Sequence, residues 1–220
     1  MNKEWSDLNK RFQTLTKNDA TFFEGMSVLF SLRDSLFKEF LRLKNVLPPE
    51  ALCEQPFVNA AGFHSKTIAY SVYHVFRIED ICAHTLIAAD DEIFFRAGFQ
   101  KRMKSPIATT GNELSGRGIA EFSARLDIAT LYEYAVEVKE STESMLQKMC
   151  RADFKRKMNA QDRKRLLALG VVSEDENAAW LVDYWCGKDV RGLAQMPFSR
   201  HWIMHVEAAL RIERGLRKLK

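Results

Sequence analysis

Apolar residues recur at helical spacing along most of the chain, and the few glycines and prolines fall between these periodic segments. The pattern predicts a short helix over about residues 4–16 and two more over about 160–169 and 174–186. It also predicts four main helices, over about Thr21–Asn45, Ser65–Asp90, Asp127–Met149 and from Pro197 to the last residue. No segment shows the sustained alternation of a strand, and we therefore predict an all-α fold.

The lengths of the main helices suggest how they assemble. Helices of roughly 20–26 residues, each about 30–39 Å long, suit a four-helix bundle. A chain of 220 residues fits one domain, and we predict a single domain over 1–220 with an N-terminal extension helix in 1–18. Two short extra helices are expected between the third and fourth main helices.

The last predicted helix carries two histidines on one face. His201 and His205 are four residues apart, which places their Cβ atoms roughly 5–6 Å apart. The same face continues with Ala208, Ala209 and Ile212, whereas the opposite face is charged. Both imidazoles are therefore expected on the buried side, where they need partners.

A third histidine would turn this pair into a metal site. Among the other three histidines, His74 lies in the middle of the second main helix, His64 precedes that helix, and His84 is almost three turns beyond His74. Facing helices of a bundle commonly supply such ligand sets. We predict a site formed by His74, His201 and His205, with hydrogen-bonded core histidines as the alternative.

The same residues carry a family resemblance over about residues 22–220. A histidine in Tyr73-His-Val-Phe-Arg-Ile-Glu-Asp80 and the His-x-x-x-His of Pro197-Phe-Ser-Arg-His-Trp-Ile-Met-His205 resemble the DinB/YfiT-like superfamily. The resemblance implies a four-helix bundle and a divalent metal held by the three histidines, and it makes a homodimer a candidate assembly. In this chain Val206-Glu-Ala208 stands where the family often has glutamine, and the segment before the last helix is long.

Three neutral imidazoles leave the charge of a divalent ion uncompensated and leave coordination positions open. Such an ion acidifies bound water or holds a thiol as thiolate. Zinc, nickel, manganese or iron would suit three histidines. The resemblance implies transfer of a low-molecular-weight thiol to an electrophile, or an isomerisation that such a thiol assists.

Ligating histidines normally donate their other N–H group to an acceptor. Tyr70, Glu79 and Asp80 are the candidates for this role or for handling protons. Glu79 and Asp80 are equally expected as solvent-facing partners of Arg77 or of lysines.

Three functions remain open from the sequence. The first is a metal-dependent enzyme that acts on a small-molecule substrate by thiol transfer or hydrolysis. The second is a metal-binding or stress-related protein without turnover, and the third is an interaction module whose histidines are structural. An open coordination position beside a pocket favours the first.

Composition excludes some partners. The net charge of +4 is mild, and the basic residues are spread along helix faces, so no nucleic-acid partner is expected. No apolar run reaches 18 residues, and no membrane partner is expected. The four cysteines lack CxxC spacing and the first residues do not resemble a secretory signal, which favours the cytoplasm.

Overall fold

The computed structural model describes residues 2–61 and 64–218, and the extended elements in these ranges amount to one isolated antiparallel bridge, between Lys157 and Asp189. All other regular structure there is helical, which confirms the predicted all-α class. The helices are α1 (Lys3–Leu15), α2 (Phe22–Val46), α3 (Pro49–Leu52), α4 (Ile68–Asp80), α5 (Ile93–Arg96), α6 (Phe99–Arg102), α7 (Gly118–Arg125), α8 (Ile128–Gln147), α9 (Arg151–Phe154), α10 (Ala160–Ala168), α11 (Glu176–Cys186), α12 (Val190–Gln195) and α13 (His201–Lys218).

The second main helix changes its winding halfway along the predicted span. Its α-helical part, α4, is capped at the start by the side chain of Thr67, which accepts a hydrogen bond from the amide of Tyr70. The backbone then continues as a π-helical turn (Ile81–Ala88) and ends at Ala89, which has a left-handed φ of 61°. The α-helix predicted to reach Asp90 is therefore shorter than expected.

The sequence suggested that Pro197 lies in the first turn of the last helix. In the structure it lies before that helix. Helical backbone already begins with α12, which is capped by Asp189, and a second π-helical turn (Met196–Arg200) joins α12 to α13. Proline lacks the amide that a regular α-helix would use at this position. The wider π turn accommodates it, and α13 begins at His201.

Helix α4 occupies the centre of the structure. It packs against α8 on one side and against α13 on another, while α13 also contacts α2, and α1 covers α2. Aromatic side chains fill the junction, with ring centroids 5.7 Å apart for Phe37 and Phe76 and 4.8 Å apart for Phe76 and Trp202. Every residue of α4 is buried, as expected of a helix that packs on more than one side.

A second apolar cluster surrounds the π-helical turn that follows α4. Phe22 at the start of α2 packs edge-on against Phe154, with centroids 4.9 Å apart, and Trp185 and Phe198 join the same cluster. The helices between α8 and α13 therefore belong to the core. No helix within the described ranges is both long enough and apolar enough to cross a membrane. All four cysteines are free thiols.

Candidate metal centre

Three histidines from two helices converge at one point. His74 comes from the middle of α4, and His201 and His205 come from the first turns of α13. Their ring centroids are 4.9, 4.9 and 4.6 Å apart, and one nitrogen from each ring lies within 4.8 Å of the others. All three side chains are buried. The structure therefore brings together the three residues that the sequence singled out.

A backbone carbonyl fixes the orientation of His74. Its Nδ1 nitrogen lies 2.8 Å from the carbonyl oxygen of Thr110. A carbonyl oxygen can only accept, so Nδ1 must carry the proton, and Nε2 is left with the lone pair that a metal needs. Sequence reasoning missed Thr110, because a backbone group leaves no side-chain signal.

The segment 107–111 is attached to α4 by several side chains. Tyr70, Tyr73 and Arg77 each donate to a backbone carbonyl of this segment at 2.9 Å. These residues share one face of α4 with His74. Gly111 closes the segment with φ of 77°, and a Cβ atom there would lie 3.1 Å from the ring of Tyr70. Side chains of α4 therefore hold in place the Thr110 carbonyl that orients His74.

Burial keeps the three imidazoles neutral. It lowers the pKa of His74 to about 4, although the Thr110 hydrogen bond acts in the opposite direction. It also holds the pKa values of His201 and His205 well below the usual value, and the neighbouring imidazoles lower them further. Neutral imidazole is the form that coordinates a metal.

The site has an unpaired nitrogen that an ion or a water could satisfy. Nδ1 of His201 is buried and forms no hydrogen bond to any group in the described ranges. A buried polar atom without a partner costs about 1–3 kcal/mol. Together with the neutral donor set, this atom shows that the residues present fit a bound divalent cation.

Glu79 does not face solvent, in contrast to one expectation from the sequence. Its carboxylate is fully buried and accepts two hydrogen bonds from Arg33, at 2.7 and 2.9 Å, and one from the indole of Trp202, at 2.8 Å. Arg33 on α2 compensates the charge, which is why the burial is possible. Glu79 is therefore a structural link between helices and forms no hydrogen bond to the three histidines.

Asp80 is also buried rather than solvent-facing, although it has Arg77 as a neighbour at 3.7 Å. Its carboxylate accepts from the backbone amides of Ile93 and Phe94, both at 2.9 Å, and from the hydroxyl of Tyr134 at 2.9 Å. These bonds satisfy backbone amides at the start of α5 that have no partner within the helix. Asp80 thus fixes the chain after α4 and does not orient the three histidines.

Of the three residues proposed as partners of the histidines, only Tyr70 contacts one of them. Its ring stacks on that of His74, with centroids 5.3 Å apart and planes 13° apart. Its hydroxyl donates to the carbonyl of Gly111, and burial raises its pKa far above the usual value. Tyr70 is therefore a neutral wall of the site and not a proton acceptor near pH 7.

A cavity of about 510 Å³ opens beside the three histidines, and all three line it. Its lining also includes Trp180, Tyr184 and Trp185 of α11 and Met196 of the π-helical turn before α13. Sequence reasoning predicted the helix of residues 174–186 but not its place over the site. Volumes of about 300–1,000 Å³ are typical of small-molecule sites.

His64 and His84 lie outside the cluster. Nδ1 of His84 lies 2.6 Å from the carboxylate of Asp90, and its Nε2 lies 3.1 Å from the hydroxyl of Ser141. This agrees with the expectation that His84 is too far along the helix to share an ion with His74.

No protein-family model matches the chain, and no curated protein matches its sequence significantly. The likeness to the DinB/YfiT-like superfamily thus rests on the two histidine motifs and their placement on α4 and α13.

Proposed function

We propose that the chain is a divalent-metal-dependent enzyme of the DinB/YfiT-like kind, in which α2, α4, α8 and α13 correspond to the four helices of the bundle. His74, His201 and His205 are the proposed ligands. The observation that carries the proposal is the convergence of three buried, neutral imidazoles on one end of a cavity that can hold a small molecule.

The ion, the histidines and the aromatic residues would have different roles in the reaction. A divalent ion bound here would make a thiol or a water nucleophilic near neutral pH. His74 holds its proton at Nδ1 against the carbonyl of Thr110, which keeps Nε2 directed to the ion. The aromatic residues of α11 and the ring of Tyr70 restrict water and shape the space for a substrate.

Thiol transfer fits the site better than hydrolysis. None of the residues that line the cavity in the described ranges is an aspartate or a glutamate, and the carboxylates of Glu79 and Asp80 have other partners. Hydrolysis usually relies on a positioned general base. A thiol, with an ordinary pKa near 8.5, needs much less acidification than water and can lose its proton to solvent.

The cavity also favours a catalytic metal site over a structural one. A structural zinc site normally has four protein ligands and no room for substrate. Here the described residues offer three histidines, and the remaining positions would face the cavity.

Elemental mass spectrometry on protein purified without a histidine tag tests the proposal. We expect about one divalent ion per chain, lost in His74→Ala and His205→Ala and retained in His84→Gln, whose side chain lies outside the cluster. The loaded protein should then consume a low-molecular-weight thiol in the presence of an electrophile. A folded wild-type protein that takes up no zinc, nickel, manganese or iron would contradict the proposal.

A further inference from the structure

A lysine that pairs with no carboxylate of the described ranges lies beside the three histidines. Lys66 is partly buried and lines the same cavity as the three histidines. Its ammonium group lies 4.8 Å from the ring centroid of Tyr70, and that ring stacks on His74. None of the ion pairs formed within the described ranges includes Lys66.

The charged side chain that lines this cavity within the described ranges is positive. Its described lining residues include Lys66 and the three neutral histidines but no carboxylate. A divalent ion would add two further positive charges. An anionic occupant would compensate this field, whereas a cationic one would be repelled.

The walls of the cavity are apolar and aromatic. Trp180 is half-exposed at its rim, at 51% of its surface, and packs edge-on against Tyr184 with centroids 5.6 Å apart. Its indole N–H is already bonded to the carbonyl of Asn177 at 2.9 Å, so the ring offers mainly its apolar surface. Exposed aromatic surface of this kind is typical of a place where a flat apolar group binds.

We infer that the cavity binds an organic carboxylate with a flat apolar body, with Lys66 as the residue that pairs with the carboxylate and the α11 aromatics as the residues that contact the body. This inference rests on the proposed function, because it names the class of substrate for the same site. A single flexible ammonium group suits one carboxylate, whereas phosphate is usually held by several donors.

Three benzyl thiols test this inference; they share the mercaptomethyl ring and carry an anionic, a neutral or a cationic group in the para position. They are para-(mercaptomethyl)benzoate, the corresponding benzyl alcohol and the corresponding benzylamine. Each is titrated into the Co²⁺-loaded full-length protein, and the absorption of the cobalt–thiolate bond reports binding. The thiol anchors all three compounds at the same place, so that differences in affinity report the surroundings of the para substituent.

The wild-type protein should bind the benzoate about tenfold more tightly than the alcohol, and the amine least of all. Lys66→Met should bring the benzoate and the alcohol to equal affinity, and Lys66→Glu should make the amine the best ligand. Lys101→Met, which removes an exposed lysine from α6, should keep the tenfold preference. Equal affinities in the wild type, or a preference that persists in Lys66→Met, would overturn the inference.

The experiment also separates this inference from the proposed function. A protein that takes up no Co²⁺ refutes the metal site, and para-toluate and para-methylbenzyl alcohol are then titrated by tryptophan fluorescence. A preference for the toluate that Lys66→Met removes would support the anion site even without a metal. The absence of that preference would overturn it.

Discussion

The indole N–H of Trp202 donates a 2.8 Å hydrogen bond to the carboxylate of Glu79. Trp202 follows the proposed ligand His201 on α13, and Glu79 lies on α4, the helix that carries His74. Arg33 of α2 bonds the same carboxylate, and its guanidinium lies 4.4 Å from the Trp202 ring centroid. A buried polar contact thus joins the two helices whose relative position determines the geometry of the three histidines.

Removing the buried cation should destabilise the fold strongly. Arg33→Met leaves Glu79 buried without its cation, and we expect a loss of about 3–5 kcal/mol in the free energy of unfolding. Arg102→Met is the matched control, because Arg102 pairs with Glu133 at the same 2.7 Å but on the surface. That variant should lose less than about 1 kcal/mol. Urea denaturation measures both, and equal losses would contradict the importance of the buried pair.

The segment that orients His74 can be perturbed without touching a ligand. Gly111→Ala places a Cβ atom 3.1 Å from the ring of Tyr70 and strains a φ of 77°, which should displace the neighbouring carbonyl of Thr110. We expect metal affinity to fall by about 10–100-fold. Competition with a chromogenic chelator measures that affinity.

Gly98→Ala is the control for backbone strain. Gly98 also has a positive φ, of 65°, but a Cβ atom there would meet no atom within 4 Å. Both variants should lose about 1–2 kcal/mol of stability, whereas only Gly111→Ala should lose metal affinity. Similar metal affinities in the two variants would argue against a role for the Thr110 carbonyl.

The cluster of three histidines was predictable because side-chain type and helical spacing define it. The i,i+4 spacing of His201 and His205 places them on one face, and the apolar residues that follow show that this face is buried. The central position of His74 in its helix, together with the family resemblance, then indicated the third ligand. The structure brings the three together.

The surroundings of the ligands were not predictable, because they depend on how helices rotate and meet. Glu79 is buried although a solvent-facing position was equally expected, and the sequence did not reveal that Arg33 faces it. The acceptor for His74 is the carbonyl of Thr110, a group common to every residue. The sequence likewise did not reveal that α11 packs beside the three histidines and lines the cavity.

The buried histidines should make the metal-free protein sensitive to acid. In the unfolded chain an imidazole has a pKa near 6.5, whereas folding lowers the pKa of His74 to about 4. Between these values the unfolded state binds more protons, so stability is retained above about pH 6.5 and falls as the pH decreases. Each such histidine should contribute a slope of up to about 1.4 kcal/mol per pH unit.

Urea denaturation of the metal-free protein between about pH 7 and pH 5 measures this slope. His74→Gln removes one titrating group while keeping a hydrogen-bonding side chain, and it should reduce the slope by about one histidine's contribution. An unchanged slope in this variant would show that folding does not lower the pKa of His74.

Metal binding should stabilise the fold through the same three residues. A ligand that binds only the folded state at about 100 times its Kd adds about 2.7 kcal/mol, which corresponds to a rise in Tm of roughly 5–11 °C for a chain of this size. Differential scanning fluorimetry with zinc or nickel measures the shift. His205→Ala should abolish it, since two imidazoles from two helices hold an ion much less tightly, while His84→Gln should retain it because its side chain lies outside the cluster. A shift that persists in His205→Ala would place the stabilising ion elsewhere, and the four free thiols would be the next ligands to test.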